Sequence, residues 1–448
     1  MKIGIIGGGF AGLTAAHELL KAGQQVTVFE AASQVGGLAS GFKAEGWDWS
    51  LERFYHHIFT TDKAIIGLAG EIGARDLIFF NKQTTAFFCP EHGSHAVNVL
   101  GMLRYPHLPF IDRIRFGVSG LELKLRNDWQ RLERETAEHH LQRWAGRRAY
   151  AQLWQPLFDG KFGPYAREVN AAWIWARAKT RSFKLGYFRG GFQAFADALA
   201  AHVSHRGATV LTNTPVQRIA ATDGQWQIST ADATHTFDRV IVAAAPGLLV
   251  KLVPALPPGY VADIRKLKSI GAVVMVAALD RQLLTRGEYW LNIAKGTLPF
   301  LALVEHTNMI DARHYNGDRL IYCGDYLPAD HRYFSLPPDQ VIDEWLTALP
   351  AANPAFDRAW VRRTWLFREA YAQPIVPVHH SRHVPALRTP LDGLYWASMS
   401  HVYPWDRGTN FAVELGRRVA RELLADLNRR DARITDRVTH KTTHGVSR

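Results

Sequence analysis

The sequence predicts an α/β fold built on a parallel sheet with a phosphate-cradling turn, and three observations predict it. A short apolar strand runs into Gly7-Gly8-Gly9-Phe10-Ala11-Gly12 and then into an apolar helix. A helix and several strands return between residues 190 and 246, closing on a buried strand. Near residue 393 a third apolar strand is followed by another helix with one buried face.

The amino-terminal unit reads residue by residue. Residues 2–6 (KIGII) form the first strand, Leu13 to Leu20 a helix ending near Gly23, and Val26 to Phe29 a second strand closed by Glu30. Gly7 permits the tight turn. Gly9 has no Cβ, so a pyrophosphate can approach the backbone, and Gly12 lets helix and strand pack closely. The helix amino end, at Phe10 and Ala11, offers unpaired N–H groups and partial positive charge to phosphates. Glu30 lies 18 residues past Gly12 and can hydrogen-bond both ribose hydroxyls of an adenosine. It would repel a 2′-phosphate, which argues against NADP. Five residues later comes Gly36-Gly37-Leu38-Ala39-Ser40, a second glycine pair that folds the chain back over the pyrophosphate and leaves Ser40 able to donate a hydrogen bond.

Gly190-Gly191-Phe192 opens a helix to about Val203. Strands at 209–212 and 216–220 follow, then an Asp223-Gly224 turn, two alternating strands and Val240 to Ala245. At the carboxyl end, Gly393 to Ser398 reads as a strand. Phe411, Leu415, Val419, Leu423 and Leu427 recur every four residues, so a helix follows whose amino end, near Gly408, makes a second anion-binding terminus.

The E-x5-GG extension resembles the FAD site of the amine oxidase, protoporphyrinogen oxidase and phytoene desaturase superfamily. At finer grain, Glu52 to Phe59, Leu153 to Leu157, Lys161-Phe162-Gly163, Glu305 to Asn308 and Tyr371 to Ile375 resemble a bacterial branch labelled protoporphyrinogen-oxidase-like. The resemblance implies a Rossmann-type FAD-binding domain assembled from residues 1–75, 185–246 and 385–427. It also implies an inserted α+β substrate domain from 76–184 and 247–384. The first insert reads as helical, Trp-rich and basic; residues 428–448 read as a mobile tail. Expected FAD contacts are Gly7, Gly9, Phe10, Ala11, Gly12, Glu30, Gly36, Gly37, Leu38, Ser40, Val216 (through its backbone, at the adenine), Asp406, Gly408 and Asn410. Ala397-Ser398-Met399-Ser400 replaces the usual Gly-Asp pair, so Asp406 is open to two readings, ribityl contact or helix cap.

The implied activity is oxidation or desaturation of a bulky, mainly apolar small molecule by hydride transfer to flavin N5, with molecular oxygen or another acceptor reoxidising the flavin. Candidate catalytic residues are His56 and His57, of which strand alternation would turn only one toward the ring, together with Glu305, His306 and Tyr371. Each is equally a core or turn residue. Two other functions stay open. His57 to Asp62 resembles a stretch of UDP-galactopyranose mutase, an isomerase that uses reduced FAD, and lipid-binding escort proteins without catalysis share the fold.

Composition narrows the partners. The chain has 448 residues, 47% apolar and 21% charged, a globular balance. Cys89 and Cys323 are the only cysteines, so there is no disulfide framework; they read as apolar fillers, and no metal cluster is visible. No apolar run reaches membrane-spanning length and no secretion signal is evident, so a cytoplasmic setting is the expectation. The charge of +12 brings no nucleic-acid motif with it. The tract 104–148 sets Arg104, Arg113, Arg115 and Lys124 among Ile111, Ile114, Val118, Leu121 and Leu125. A solvated amphipathic helix is the simpler reading, and peripheral contact with anionic lipid the other.

Overall fold

In the computed structural model the described residues are 1–89, 93–96, 108–182 and 184–443. Arg104, the side chain of Cys89 and residues 444–448 lie outside what is described.

The centre is a five-stranded sheet in the order Thr209–Leu211, Gln25–Phe29, Lys2–Ile6, Arg239–Val242, Leu394–Trp396, parallel throughout. Its strands are continuous apolar runs because both faces are covered. On one face helix Phe10–Lys21 packs beside Gly191–His205, with Phe10 and Phe195 stacked at 5.5 Å. On the other, Val240 and Val242 meet Trp226 and Ile228 of an antiparallel sheet, Arg218–Thr222, Gln225–Ser229 and Thr234–Phe237. All five parallel strands come from within 1–75, 185–246 and 385–427. Since they are parallel, the loops after Ile6, Val242 and Trp396 leave at one edge.

The intervening segments build a second layer. Its seven-stranded sheet runs Val361–Pro374, Ser269–Leu279, Arg319–Leu327, Ala302–Glu305, Glu288–Asn292, Thr84–Cys89, Gly93–Ala96. Thr84–Cys89 pairs with Glu288–Asn292 in parallel, so both inserts share one sheet. Here the expectation of a helical first insert is corrected: it opens with strands Ile78–Lys82, Thr84–Cys89 and Gly93–Ala96. The β-branched and aromatic content of Phe79-Phe80 and Thr84 to Phe88 favours a pleated surface over a helix. Helices Phe110–Leu125, Ala137–Ala145, Gln155–Phe162 and Ala171–Thr180 follow.

The carboxyl-terminal helix is the other difference. It runs from Thr409 to Thr443, through the boundary expected at Leu427. No glycine or proline interrupts the chain between Gly416 and Gly445, so nothing in the sequence stops it.

Candidate functional site

The glycine turn forms as its spacing requires. A Cβ on Gly12 would lie 2.0 Å from the Gly7 carbonyl oxygen, so only glycine fits there. Gly36, at φ +114°, brings its amide 2.9 Å from the Gly8 carbonyl, which sets the two glycine turns against each other. The helix begins at Phe10 with Gly9 as its cap and no side chain over its first amides. The result is a backbone-lined cradle ahead of a helix amino end, which fits a dinucleotide pyrophosphate. Glu30 closes the adjoining strand; its carboxylate accepts from the Gly8 amide at 2.7 Å and the Ala32 amide at 2.9 Å. Leu38 and Ala39 lie in a short 3-10 turn that ends at buried Ser40. Val216 is half-buried in the loop between Leu211 and Arg218.

The second helix start reaches the same edge, since it follows the parallel strand Leu394–Trp396. A Cβ on Gly416 would meet the Ala11 carbonyl oxygen at 2.4 Å, so the two helices touch backbone to backbone near their beginnings. Gly408, Thr409 and Asn410 open onto a cavity of about 530 Å³ between the two layers. Tyr55, His56, His57, Phe59, Leu157 and Trp290 contribute to its wall.

Both histidines reach this cavity. Residues 53–57 are irregular chain between strands Leu51–Glu52 and Ile58–Phe59, so strand alternation does not govern them. His56 Nδ1 lies 2.6 Å from the Phe54 carbonyl; as the donor it leaves Nε2 as an acceptor. Burial pushes His56 down to about 4. Burial, then the charge of Arg181, pushes His57 down to about 3, and its Nδ1 is buried without a partner among the described residues. Neutral rings near pH 7 accept or donate hydrogen bonds but do not shuttle protons as imidazolium.

Three candidates stand elsewhere. Glu305, fully buried at a strand end, accepts from the amides of Leu283 and Leu284 and fastens that loop; burial raises it to about 7. His306 Nε2 pairs with Tyr315 Oη at 2.8 Å in the core. Neither lines the cavity, because the strand end they share is roofed by the 281–287 loop. Tyr371 is outside the lining too: its hydroxyl lies 2.7 Å from Ser400 Oγ and anchors the loop after Trp396.

Asp406 does line the cavity but neither caps the helix nor stands free. Its carboxylate meets Arg177 Nη1 at 2.9 Å and Lys161 Nζ at 3.8 Å. These cations overcome burial and hold it well below the usual carboxylate range. Asn410 is also engaged. Its Oδ1 accepts from the Ala64 and Ile65 amides at 2.9 and 3.2 Å, capping helix Lys63–Glu71, so only its backbone faces the cavity unclaimed.

Sequence reasoning missed the cations. Lys161, Arg177, Arg181 and Arg407 all line the cavity. The signal was the row Trp173, Arg177, Arg181, spaced by four and therefore on one helix face. His17, Glu18 and Glu71 also gather within 4.8 Å, though Arg417 and Lys21 already bridge those carboxylates.

The sequence matches the flavin containing amine oxidoreductase family over residues 10–424. It is 25% identical over 305 residues to protoporphyrinogen oxidase of Bos taurus, spanning 56% of this chain and 61% of that protein. Among solved structures it resembles cyclohexylamine oxidase from Brevibacterium oxydans, with a TM-score of 0.69 and 15% identity over 95% of this chain and 99% of that one. Reduced UDP-galactopyranose mutase gives 0.74 and 15% over 95% of each. At such identity these likenesses show the fold alone. The chain belongs to the flavin-containing amine oxidoreductase family.

Proposed function

We propose that this flavin-dependent oxidoreductase holds FAD and oxidises or desaturates a bulky, largely apolar small molecule in the cavity between its two layers. The observation that carries the reading is the packing of helix Phe10–Lys21 on helix Thr409–Thr443, Ala11 against Gly416, with both helices following strands of the one parallel sheet and Gly408 to Asn410 opening onto that cavity. Gly7 to Gly12 with Gly36-Gly37 would hold the pyrophosphate, Glu30 the adenosine ribose, and the Val216 backbone the adenine. When bound, FAD supplies the two-electron oxidation by accepting hydride.

The chain's own residues position and exclude. The amino end of helix Thr409–Thr443 lends partial positive charge to the cavity. His56 Nε2 offers an acceptor, and His57 Nδ1 awaits a hydrogen-bond partner. Tyr55 stands edge-on to Trp290, ring centres 4.8 Å apart, and walls off water.

We further infer that the protein rests peripherally on anionic lipid through helix Phe110–Leu125. Its outer row is apolar and uncovered: Phe110 is 65% exposed, Ile111 70%, Leu121 58% and Leu125 69%. Arg115, Lys124, Arg147 and Arg148 are exposed around it and complement anionic headgroups. The helix's inner Phe116 packs on Trp154 at 5.4 Å, next to cavity-lining Leu153. An apolar substrate would thus have a short way from lipid to cavity.

The test is spectroscopic. Purified protein should be yellow, or become so with FAD, and should bleach anaerobically with one member of a panel of porphyrinogens, polyprenyl compounds, amines and nucleotide sugars. Gly9→Leu should abolish flavin retention while far-ultraviolet circular dichroism is preserved. Full retention in that variant would overturn the assigned phosphate turn; a nucleotide sugar that leaves oxidised flavin unbleached but perturbs the spectrum of the pre-reduced flavin, and is isomerised by it, would replace the oxidase reading with an isomerase.

A further inference from the structure

The cavity wall is electrically lopsided. Four cationic side chains line it, Lys161, Arg177, Arg181 and Arg407, against two acids, Asp62 and Asp406. Asp62 is already engaged: its Oδ2 accepts from the Phe59 amide at 2.8 Å, and burial raises it to about 6, so it keeps its charge at neutral pH and loses it only in mild acid. Asp406 is shared by Arg177 and Lys161. Arg407 is spent on structure, donating to Gln373 Oε1 at 2.9 Å and to Tyr326 Oη. Arg181 has neither ion pair nor hydrogen bond to its guanidinium among the described residues. The charge of Arg177 lowers Arg181 to about 9, although Arg181 stands exposed at the rim of the cavity, where solvent screens part of that repulsion. Burial also pulls Lys161 well below its usual value, despite Asp406.

Crowding like charges beside an apolar wall is costly unless something anionic completes it. The cradle at Gly7 to Gly12 is not part of this wall. The same wall carries Phe59, Leu157 and Trp290. We propose that the cavity seats a carboxylate or phosphate group of its substrate on Arg181, Arg177 and Lys161 while the substrate's apolar body lies against Phe59, Leu157 and Trp290. This rests on the reading of the cavity as the substrate chamber. It gives the substrate a polarity: an anionic amphiphile is taken, and a cationic amine is repelled. Planar guanidinium forks suit both oxyanions, which is why the chemistry common to them is assigned.

Four probes of one chain length decide it: octanoate, octyl phosphate, octanol and octylamine, titrated into the flavin-loaded protein. Binding is read from tryptophan fluorescence and from the visible difference spectrum. At least one anionic probe should bind about tenfold more tightly than octanol, and octylamine more weakly than octanol. Octanoate ahead of octyl phosphate marks a carboxylate-bearing substrate, the reverse order a phosphate-bearing one. Arg181→Gln should bring the favoured anion to within about threefold of octanol, with flavin retained, and Arg181→Lys should keep most of the preference. Equal affinity for octanol and both anions, or tighter octylamine, would overturn the proposal. So would an anion preference that survives both Arg181→Gln and Lys161→Met. A protein that takes up no flavin would instead strike the redox reading, and the tryptophan signal would still report the charge preference.

Discussion

Glu52 is 1% exposed and accepts from Tyr187 Oη and the Phe192 amide, both at 2.6 Å. It fastens the start of helix Gly191–His205 to the hairpin that precedes the two histidines. Burial raises it from 4.5 to about 7 despite those bonds. Between these values the folded state holds a proton that the unfolded state has lost, so this group's stabilisation is full below about pH 4.5 and fades as pH rises through 7. In Glu52→Gln the titration is gone. The gap in melting temperature between wild type and variant should therefore shrink steadily from pH 4.5 to pH 7.5, by calorimetry; a pH-independent gap would refute the assignment. The resemblance over Glu52 to Phe59 did not single out this carboxylate, because its partners come from residues 187 and 192. Gly12 and Gly36 were legible for the opposite reason: they answer to the Gly7 and Ser40 backbone a few residues away.

Elements whose character is set locally were the readable ones. The strand Lys2–Ile6, its helix and Gln25–Phe29 follow from short-range pattern, as does Ser269–Leu279. Elements defined by partners were not: residues 53–57 run as strand on paper but have no ladder to join, and 78–96 becomes strand because a sheet edge awaits it. Glu305 and His306 read as a polar strand end pointing to a pocket until a loop from 281–287 covers it. Helix Phe110–Leu125 shows the limit from the other side, since periodicity gives an apolar stripe without saying what it faces. Its exposed stripe predicts sedimentation with phosphatidylcholine vesicles that contain phosphatidylserine, weaker binding without it and release at high salt. Ile111→Glu with Leu121→Glu should abolish sedimentation while the flavin spectrum is unchanged. Equal sedimentation of that double variant would leave the stripe without a lipid role.

Across the whole molecule, the proposed dinucleotide site would draw on segments hundreds of residues apart, and FAD in it would tie them together. A ligand that binds only the folded state stabilises by mass action, about 2.7 kcal/mol at a hundred times its dissociation constant. Reconstitution of apoprotein should accordingly raise the melting temperature by a few degrees, roughly in step with the logarithm of free FAD. A midpoint indifferent to FAD would contradict the assigned cofactor. The three-segment plan was legible because each segment carries its own strand and helix signal. The charge of the chamber was not, since Lys161, Arg177 and Arg181 of the first insert meet Arg407 only when that insert folds onto the loop ahead of the carboxyl-terminal helix.

The edge strand Leu394–Trp396 pairs with Arg239–Val242. During synthesis that edge stays open until residues 394–396 have emerged, and the cavity lacks Gly408, Thr409 and Asn410 for at least the same span. Nascent chains on the ribosome should hence be colourless, and cofactor capture should be among the last events of biogenesis.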